Sequence, residues 1–275
     1  MVKIIAILIS LVLAIITSLL ITTSLWAIPL TIGFTLAYVF GLVVLFFLIA
    51  FILSIPINNK KDYKNYSKFY SKYYLLCNQL VIKLFGVKVN VKGEELLPNS
   101  NIIVISNHRS NCDSFCMDWS LRKYNMIYMA KKSLFKIPFF GSIIHRLGYL
   151  KAERDNPRAD SRMIADGIYK LKNKNISIGV FPEGTRNLEN KEVQEFKHGV
   201  FHMAMKSKKP IVIACMDGTQ DIKNKLLLKK HIVTLHFIKT MCYDDYKDMS
   251  IIEFSEYCRG LIIEELNTIN KETCA

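Results

Sequence analysis

The run Asn101-Ile102-Ile103-Val104-Ile105-Ser106-Asn107-His108-Arg109-Ser110-Asn111-Cys112-Asp113-Ser114-Phe115 decides how this chain folds. Its β-branched apolar half reads as a buried strand, Ile102 to Ser106, that ends where polar, turn-forming residues take over. The strand delivers His108 to an edge. Asp113 follows five residues later, at the start of a segment that can be helical. A helix beginning near Asp113 or Ser114 folds the short loop so that the carboxylate accepts a proton from one ring nitrogen and leaves the other as a base. Of the six histidines only His108 has an aspartate at +5. The pair taken alone is little more than a loop histidine near an aspartate, and the neighbouring sequence has to decide its meaning.

Working outward, further strand patterns occur at Val87–Lys92, which alternates strictly, and at Met126–Ala130, Tyr149–Ala152, Ile176–Phe181, Ile211–Ala214 and Ile232–Phe237. Helical patterns lie between them, such as Met163, Ile164, Gly167, Ile168 and Leu171 on one face. Strands alternating with helices predict a single α/β sandwich with a mostly parallel central sheet flanked by helices. The last helix is marked by Ser250 and Glu253, a capping box, with Tyr257, Leu261 and Ile269 at helical spacings.

Upstream, no charged residue occurs between Ile4 and Asn59. A membrane span needs about 20 apolar residues, so this stretch supplies two, roughly Ile4 to Leu25 and Leu30 to Ile55, with Pro29 and Gly33 where a turn is expected. The run is too long for a cleaved leader, and a second span follows directly. Lys60, Lys61, Lys64, Lys68 and Lys72 flank a hairpin whose own loop is uncharged, which predicts that the rest of the chain lies at the cytoplasmic face of the membrane. From Asp62 to Leu84, lysines interleave with tyrosines and Phe69, the composition of a helix at headgroup level or of an amphipathic helix packed on the domain.

The chain of 275 residues is 51% apolar, which excludes a disordered protein, and its net charge of +14 calls for an anionic partner. No nucleic-acid motif is present, so membrane lipids are the expected anion. The seven cysteines form no C-x-x-C pair and read as thiols of a reducing compartment. Cys112 sits in the histidine loop, but the His108–Asp113 pair forms a base without it. His198 and His202 stand at i, i+4 with no third ligand evident, so no metal is expected.

A second constellation follows the strand ending at Val180. In Phe181-Pro182-Glu183-Gly184-Thr185-Arg186, proline ends the ladder, glycine permits close backbone approach, and arginine presents a planar fork suited to a phosphate. An ordinary surface pair between Arg186 and Glu183 is the alternative. His108-x4-Asp113 together with this hexapeptide closely resembles the glycerolipid acyltransferases, specifically the 1-acyl-glycerol-3-phosphate acyltransferases. Lys136-Ile137-Pro138-Phe139-Phe140-Gly141 and Gly148-Tyr149-Leu150-Lys151-Ala152-Glu153-Arg154 resemble the family's second block, and Lys209-Pro210-Ile211-Val212-Ile213 its fourth.

The resemblance implies transfer of a fatty acyl group from acyl-CoA or acyl carrier protein, as co-substrate, to the hydroxyl of lysophosphatidate, with no cofactor. By that match His108 is the base and Asp113 its partner. Arg154 and Arg186, with Lys131 or Lys132, hold the acceptor phosphate. Glu183, Gly184 and Thr185 carry over as motif residues, the glutamate ordering the arginines. The implied layout is a membrane hairpin over residues 1–59, a basic and aromatic interfacial helix over 60–84, and an acyltransferase domain over 85–275. Another lysophospholipid as acceptor, a membrane-bound lipid hydrolase and a silent lipid-binding protein remain the alternatives. The absence of a G-x-S-x-G elbow favours direct attack over an acyl-enzyme.

Overall fold

The computed structural model describes residues 2–22, 26–63, 65–153, 156–187, 193–223 and 231–274. Helices α1 (Val2–Ile21) and α2 (Ala27–Ser54) form the apolar N-terminal hairpin, charge-free from Ile4 onward. Small polar side chains knit its seam: Thr17 Oγ1 lies 2.9 Å from the Tyr38 hydroxyl and Ser18 Oγ 2.6 Å from Thr31 Oγ1. Bulky residues such as Leu20, Ile28, Leu36 and Phe40 point outward. Such a surface is unusual for a face in water, and α2, at 28 residues, is long and apolar enough to cross a membrane. Pro29 and Gly33, where the sequence suggested a turn, are inside α2. Proline is tolerated in a first turn because the N–H it lacks has no intrahelical partner there.

The third helix, α3 (Lys68–Leu84), also begins later than expected, because Ser67 caps it by accepting from the Tyr70 N–H. Tyr74, Asn78 and Ile82, one turn apart, are buried against the domain, while Phe69, Leu76, Leu80 and Leu84 stay exposed. The reading of an amphipathic helix packed on the domain describes the buried face, and the opposite face is exposed and apolar.

Among the described residues the domain is built on seven strands: β1 (Val87–Lys92), β2 (Ile103–Ser106), β3 (Met126–Lys131), β4 (Leu150–Ala152), β5 (Ser177–Val180), β6 (Ile211–Asp217) and β7 (His231–Met241). They lie in the order β1-β7-β6-β2-β5-β3-β4. All neighbours are parallel except β6 and β7, so β1 and β7 run against the other five. β2 is central, with Ile105 paired to Val180 on one side and to Ile213 on the other. A strand buried on both faces needs apolar residues throughout. Ile103 and Ile105 join a layer with Phe201, Phe254 and Tyr246, and Ile102 and Val104 join one with Met117, Leu121 and Phe237.

The first layer is covered by α6 (Pro157–Asn173), α7 (Gly199–Ser207) and α9 (Ile251–Cys274), with the short α8 (Tyr243–Tyr246) between β7 and α9. The capping box before α9 is present in both directions, at 2.9 and 3.2 Å. Its buried stripe is Phe254, Cys258, Ile262, Leu266 and Ile269, whereas Tyr257 is on the solvent side. On the second layer, α4 (Asp113–Asp118) packs against α3, and α5 (Phe140–Leu147) lies at the junction with the hairpin. Five parallel strands release their C-terminal loops at one edge, which is where ligands bind in open α/β sheets.

Candidate active site

His108 leaves the end of β2 and turns back onto α4. Its Nδ1–H donates to Asp113 Oδ2 at 2.7 Å. The same oxygen accepts from the backbone N–H groups of Arg109, at 2.8 Å, and Ser110, at 2.9 Å. The carboxylate is fully buried and held by the loop it organises. The imidazole is 21% exposed, and its Nε2 has no hydrogen-bond partner among the described residues. One nitrogen is thus committed and the other faces outward, the division a proton acceptor requires.

The ring is fixed from a second side. Phe181, first residue after β5, stacks on it at 4.4 Å between centroids and 18° between planes. Tyr128, on β3, lies parallel to Phe181 at 6.3 Å. Behind them is a buried polar cluster in which Tyr128 donates to Asp118 Oδ1 at 2.9 Å and Asn78 of α3 donates to Oδ2. Burial pushes the Asp118 carboxyl up to about 7, against the lowering effect of these two hydrogen bonds.

Glu183 does not order an arginine. Its buried carboxylate accepts from the His108 N–H at 2.7 Å and from the Gln194 N–H at 3.2 Å, and burial raises its pKa. The Asn187 N–H donates to the His108 carbonyl at 2.8 Å. The loops after β2 and β5 are therefore joined on both sides of the histidine. A sequence motif shows which residues are present, not which backbone a carboxylate caps.

Gly184 has φ +68°, in the left-handed region, and a Cβ there would stand 2.8 Å from Lys197 Cε. Thr185 donates to Gln194 Oε1 at 2.8 Å, so its hydroxyl is occupied within the protein. Arg186 is half-buried and makes no ion pair among the described residues. Lys131 is exposed at the end of β3, and Lys132 pairs with Glu153 at 2.9 Å, which lowers the Glu153 carboxyl. Of the two lysines Lys131 is the one left uncommitted. Arg154 lies outside the described residues.

Two further residues belong to this edge. Arg109 pairs with Asp217 at the end of β6, closing the loop from the side opposite Glu183. Lys197 reaches over Gly184. Neither carries a local sequence signal, because each partner is remote along the chain. His198 and His202 are exposed on α7, and no cluster of three metal-ligating side chains occurs among the described residues.

Sequence comparison identifies the stretch that builds this edge: residues 88–217, which carry both the His108–Asp113 pair and the Phe181–Asn187 loop, match the family model described as Acyltransferase. The chain belongs to the acyltransferase family. Its relatives there include the 1-acyl-sn-glycerol-3-phosphate acyltransferases of Salmonella typhimurium and Escherichia coli, each 30% identical over 190 residues, covering 69% of this chain and 77% of the relative. That of Cocos nucifera is 28% identical, over 68% of this chain and 61% of the relative. The crystal structure of the 1-acyl-sn-glycerophosphate acyltransferase PlsC from Thermotoga maritima superposes with TM-score 0.61 at 25% identity, over 73% of this chain and 79% of that one.

Proposed function

We propose that this enzyme moves a fatty acyl group from an acyl thioester, acyl-CoA or acyl carrier protein, to the sn-2 hydroxyl of 1-acyl-glycerol-3-phosphate, giving phosphatidate. The active domain lies at the cytoplasmic face of a membrane that holds both N-terminal helices. The observation that carries this reading is the His108–Asp113 contact of 2.7 Å with Nε2 left open, next to the Arg186 loop. The names of the relatives supply the acceptor.

His108 Nε2 takes the proton of the acceptor hydroxyl as its oxygen attacks the thioester carbonyl carbon. Asp113 keeps the proton on Nδ1 and stabilises the imidazolium formed. When the tetrahedral intermediate collapses, the C–S bond breaks and the imidazolium returns its proton to the departing thiolate. A thioester is already activated, so alignment and deprotonation suffice and no covalent acyl-enzyme is needed. Arg186, Lys131 and Arg154 hold the acceptor phosphate, with Lys132 joining them when Glu153 releases it. Both substrates carry acyl chains, and a membrane-held domain draws them without exposing the chains to water.

Thiol release by purified protein in detergent tests this, with acyl-CoA or acyl carrier protein offered alone, with lysophosphatidate, and with other lysolipids. Release that requires lysophosphatidate and yields phosphatidate is the expected result. Release without any acceptor identifies a hydrolase instead, and activity confined to another lysolipid keeps the chemistry and refutes the acceptor.

A further inference from the structure

The segment after Val193 is stitched along the Phe181–Arg186 loop by three hydrogen bonds: Gln194 N–H to Glu183 Oε2 at 3.2 Å, Thr185 hydroxyl to Gln194 Oε1 at 2.8 Å, and Lys197 N–H to the Pro182 carbonyl at 2.9 Å. The last of these ties the Lys197 backbone to the loop, and the side chain extends from there. It runs over Gly184, where a Cβ would stand 2.8 Å from Cε and 3.1 Å from Nζ. Glycine at this position, with φ +68°, therefore does two things: it makes the turn, and it leaves room for a lysine to lie on the loop.

Arg186 is two residues further on, and two residues span at most ~7 Å. Arg186 belongs to the loop that is bonded to the His108 carbonyl through Asn187, and the Lys197 side chain lies on that loop. Neither cation has an anionic partner among the described residues, and both are accessible. Two positive charges on one short loop repel each other, and an anion bound between them relieves that repulsion. A phosphate diester offers one negative charge, whereas a monoester offers close to two and three acceptor oxygens.

The geometry points to Lys197 as a substrate-binding residue that forms, with Arg186, a two-cation clamp for a phosphate monoester. This rests on the acyl-transfer reading above and adds to it the feature that separates lysophosphatidate from lysophospholipids with a diester headgroup. The same chemistry occurs in two substrates, the glycerol phosphate of the acceptor and the 3′-phosphate of coenzyme A. Acyl carrier protein presents only a phosphodiester.

Steady-state kinetics of the full chain in detergent test the clamp, using wild type, Lys197→Met and Lys197→Arg with lysophosphatidate as the varied acceptor and each donor in turn. The expected result for Lys197→Met is a rise in acceptor KM of about tenfold, ~1.4 kcal/mol, with both donors and with kcat nearly unchanged. Lys197→Arg restores most of the affinity, because the guanidinium keeps the charge. With the donor varied at saturating acceptor, a rise confined to the KM of acyl-CoA, absent for acyl carrier protein, keeps the clamp and assigns it to coenzyme A. Unchanged KM values for both substrates, or a fall in kcat that Lys197→Arg does not repair, overturn it. Wild type that does not transfer acyl groups to lysophosphatidate refutes the acceptor assignment before any variant is compared, so the two failures are distinct.

Discussion

Replacing Asp118 by asparagine should make the protein more stable at alkaline pH, although it removes a buried charge with two hydrogen bonds. Asp118 is enclosed among Asn78 and Tyr74 of α3, Tyr128 of β3 and Tyr149, and desolvation raises its pKa from 3.8 to about 7. Below 3.8 the carboxyl is protonated in folded and unfolded chains alike and pH has no leverage. Between 3.8 and 7 the unfolded chain gives up this proton while the folded chain keeps it, so stability is lost as pH rises. Above 7 the loss is complete. With 1.36 kcal/mol per unit, about three units amount to roughly 4 kcal/mol, of which some 2.5 kcal/mol falls between pH 5 and pH 8.

An asparagine at this position keeps both contacts if the Asn78 amide turns over, so that its oxygen accepts from the new amide while Tyr128 continues to donate. It has no proton to lose. Urea unfolding of the full chain in detergent at pH 5 and pH 8, followed by the fluorescence of Trp119 beside the cluster, measures the effect. The wild-type stability should fall relative to Asp118→Asn by roughly 2.5 kcal/mol over that interval. Parallel curves for the two proteins, or a variant that loses ground at high pH, refute the reasoning.

His108→Ala should lower kcat by ~100-fold to 10,000-fold, the usual contribution of a positioned base, with membrane association retained in a flotation assay; near-wild-type turnover removes it as the base. Arg186→Ala should raise the acceptor KM by at least about tenfold, since a charge-assisted contact contributes ~1.5 to 3 kcal/mol, and an unchanged KM sinks its phosphate role. Glu183→Gln points an amide nitrogen at a backbone N–H, either that of His108 or that of Gln194. Thermal unfolding and kcat should both fall, with ~1 to 3 kcal/mol of stability lost; a variant with wild-type Tm shows that the carboxylate does not hold the loops together.

Much of the fold is legible in the sequence because central parallel strands are buried on both faces. Ile102 to Ser106 and Ile176 to Phe181 stand out as charge-free, mostly apolar runs and fall within a residue or so of the observed β2 and β5. The reversal of β7 against β6 is not legible, since strand order depends on pairing between distant segments. Helix starts failed where a local cap decided them, as at Ser67. The meeting of His108 and Asp113 could be foreseen because the two are five residues apart on one short loop. Arg109 with Asp217, Phe181 on His108 and Lys197 over Gly184 could not, because these contacts join loops that only the sheet brings to a common edge.

The apolar hairpin is not hung from the domain by a slack tether. Phe51, near the end of α2, packs edge-on against Phe139 at 5.7 Å, and the Tyr70 hydroxyl of α3 donates to the Leu53 carbonyl at 3.0 Å. Phe139 adopts φ 62° before α5, a strained backbone for a residue with a side chain, and its ring is the one that meets the hairpin. With the hairpin embedded as proposed above, an anchor joined this firmly would set the height and tilt of the catalytic edge above the lipid surface. The proposed enzyme would then sample its acceptor in two dimensions, by lateral encounter at one level of the leaflet, and the concentration governing its rate would be the mole fraction of lysolipid in the surface rather than its amount in the surrounding water.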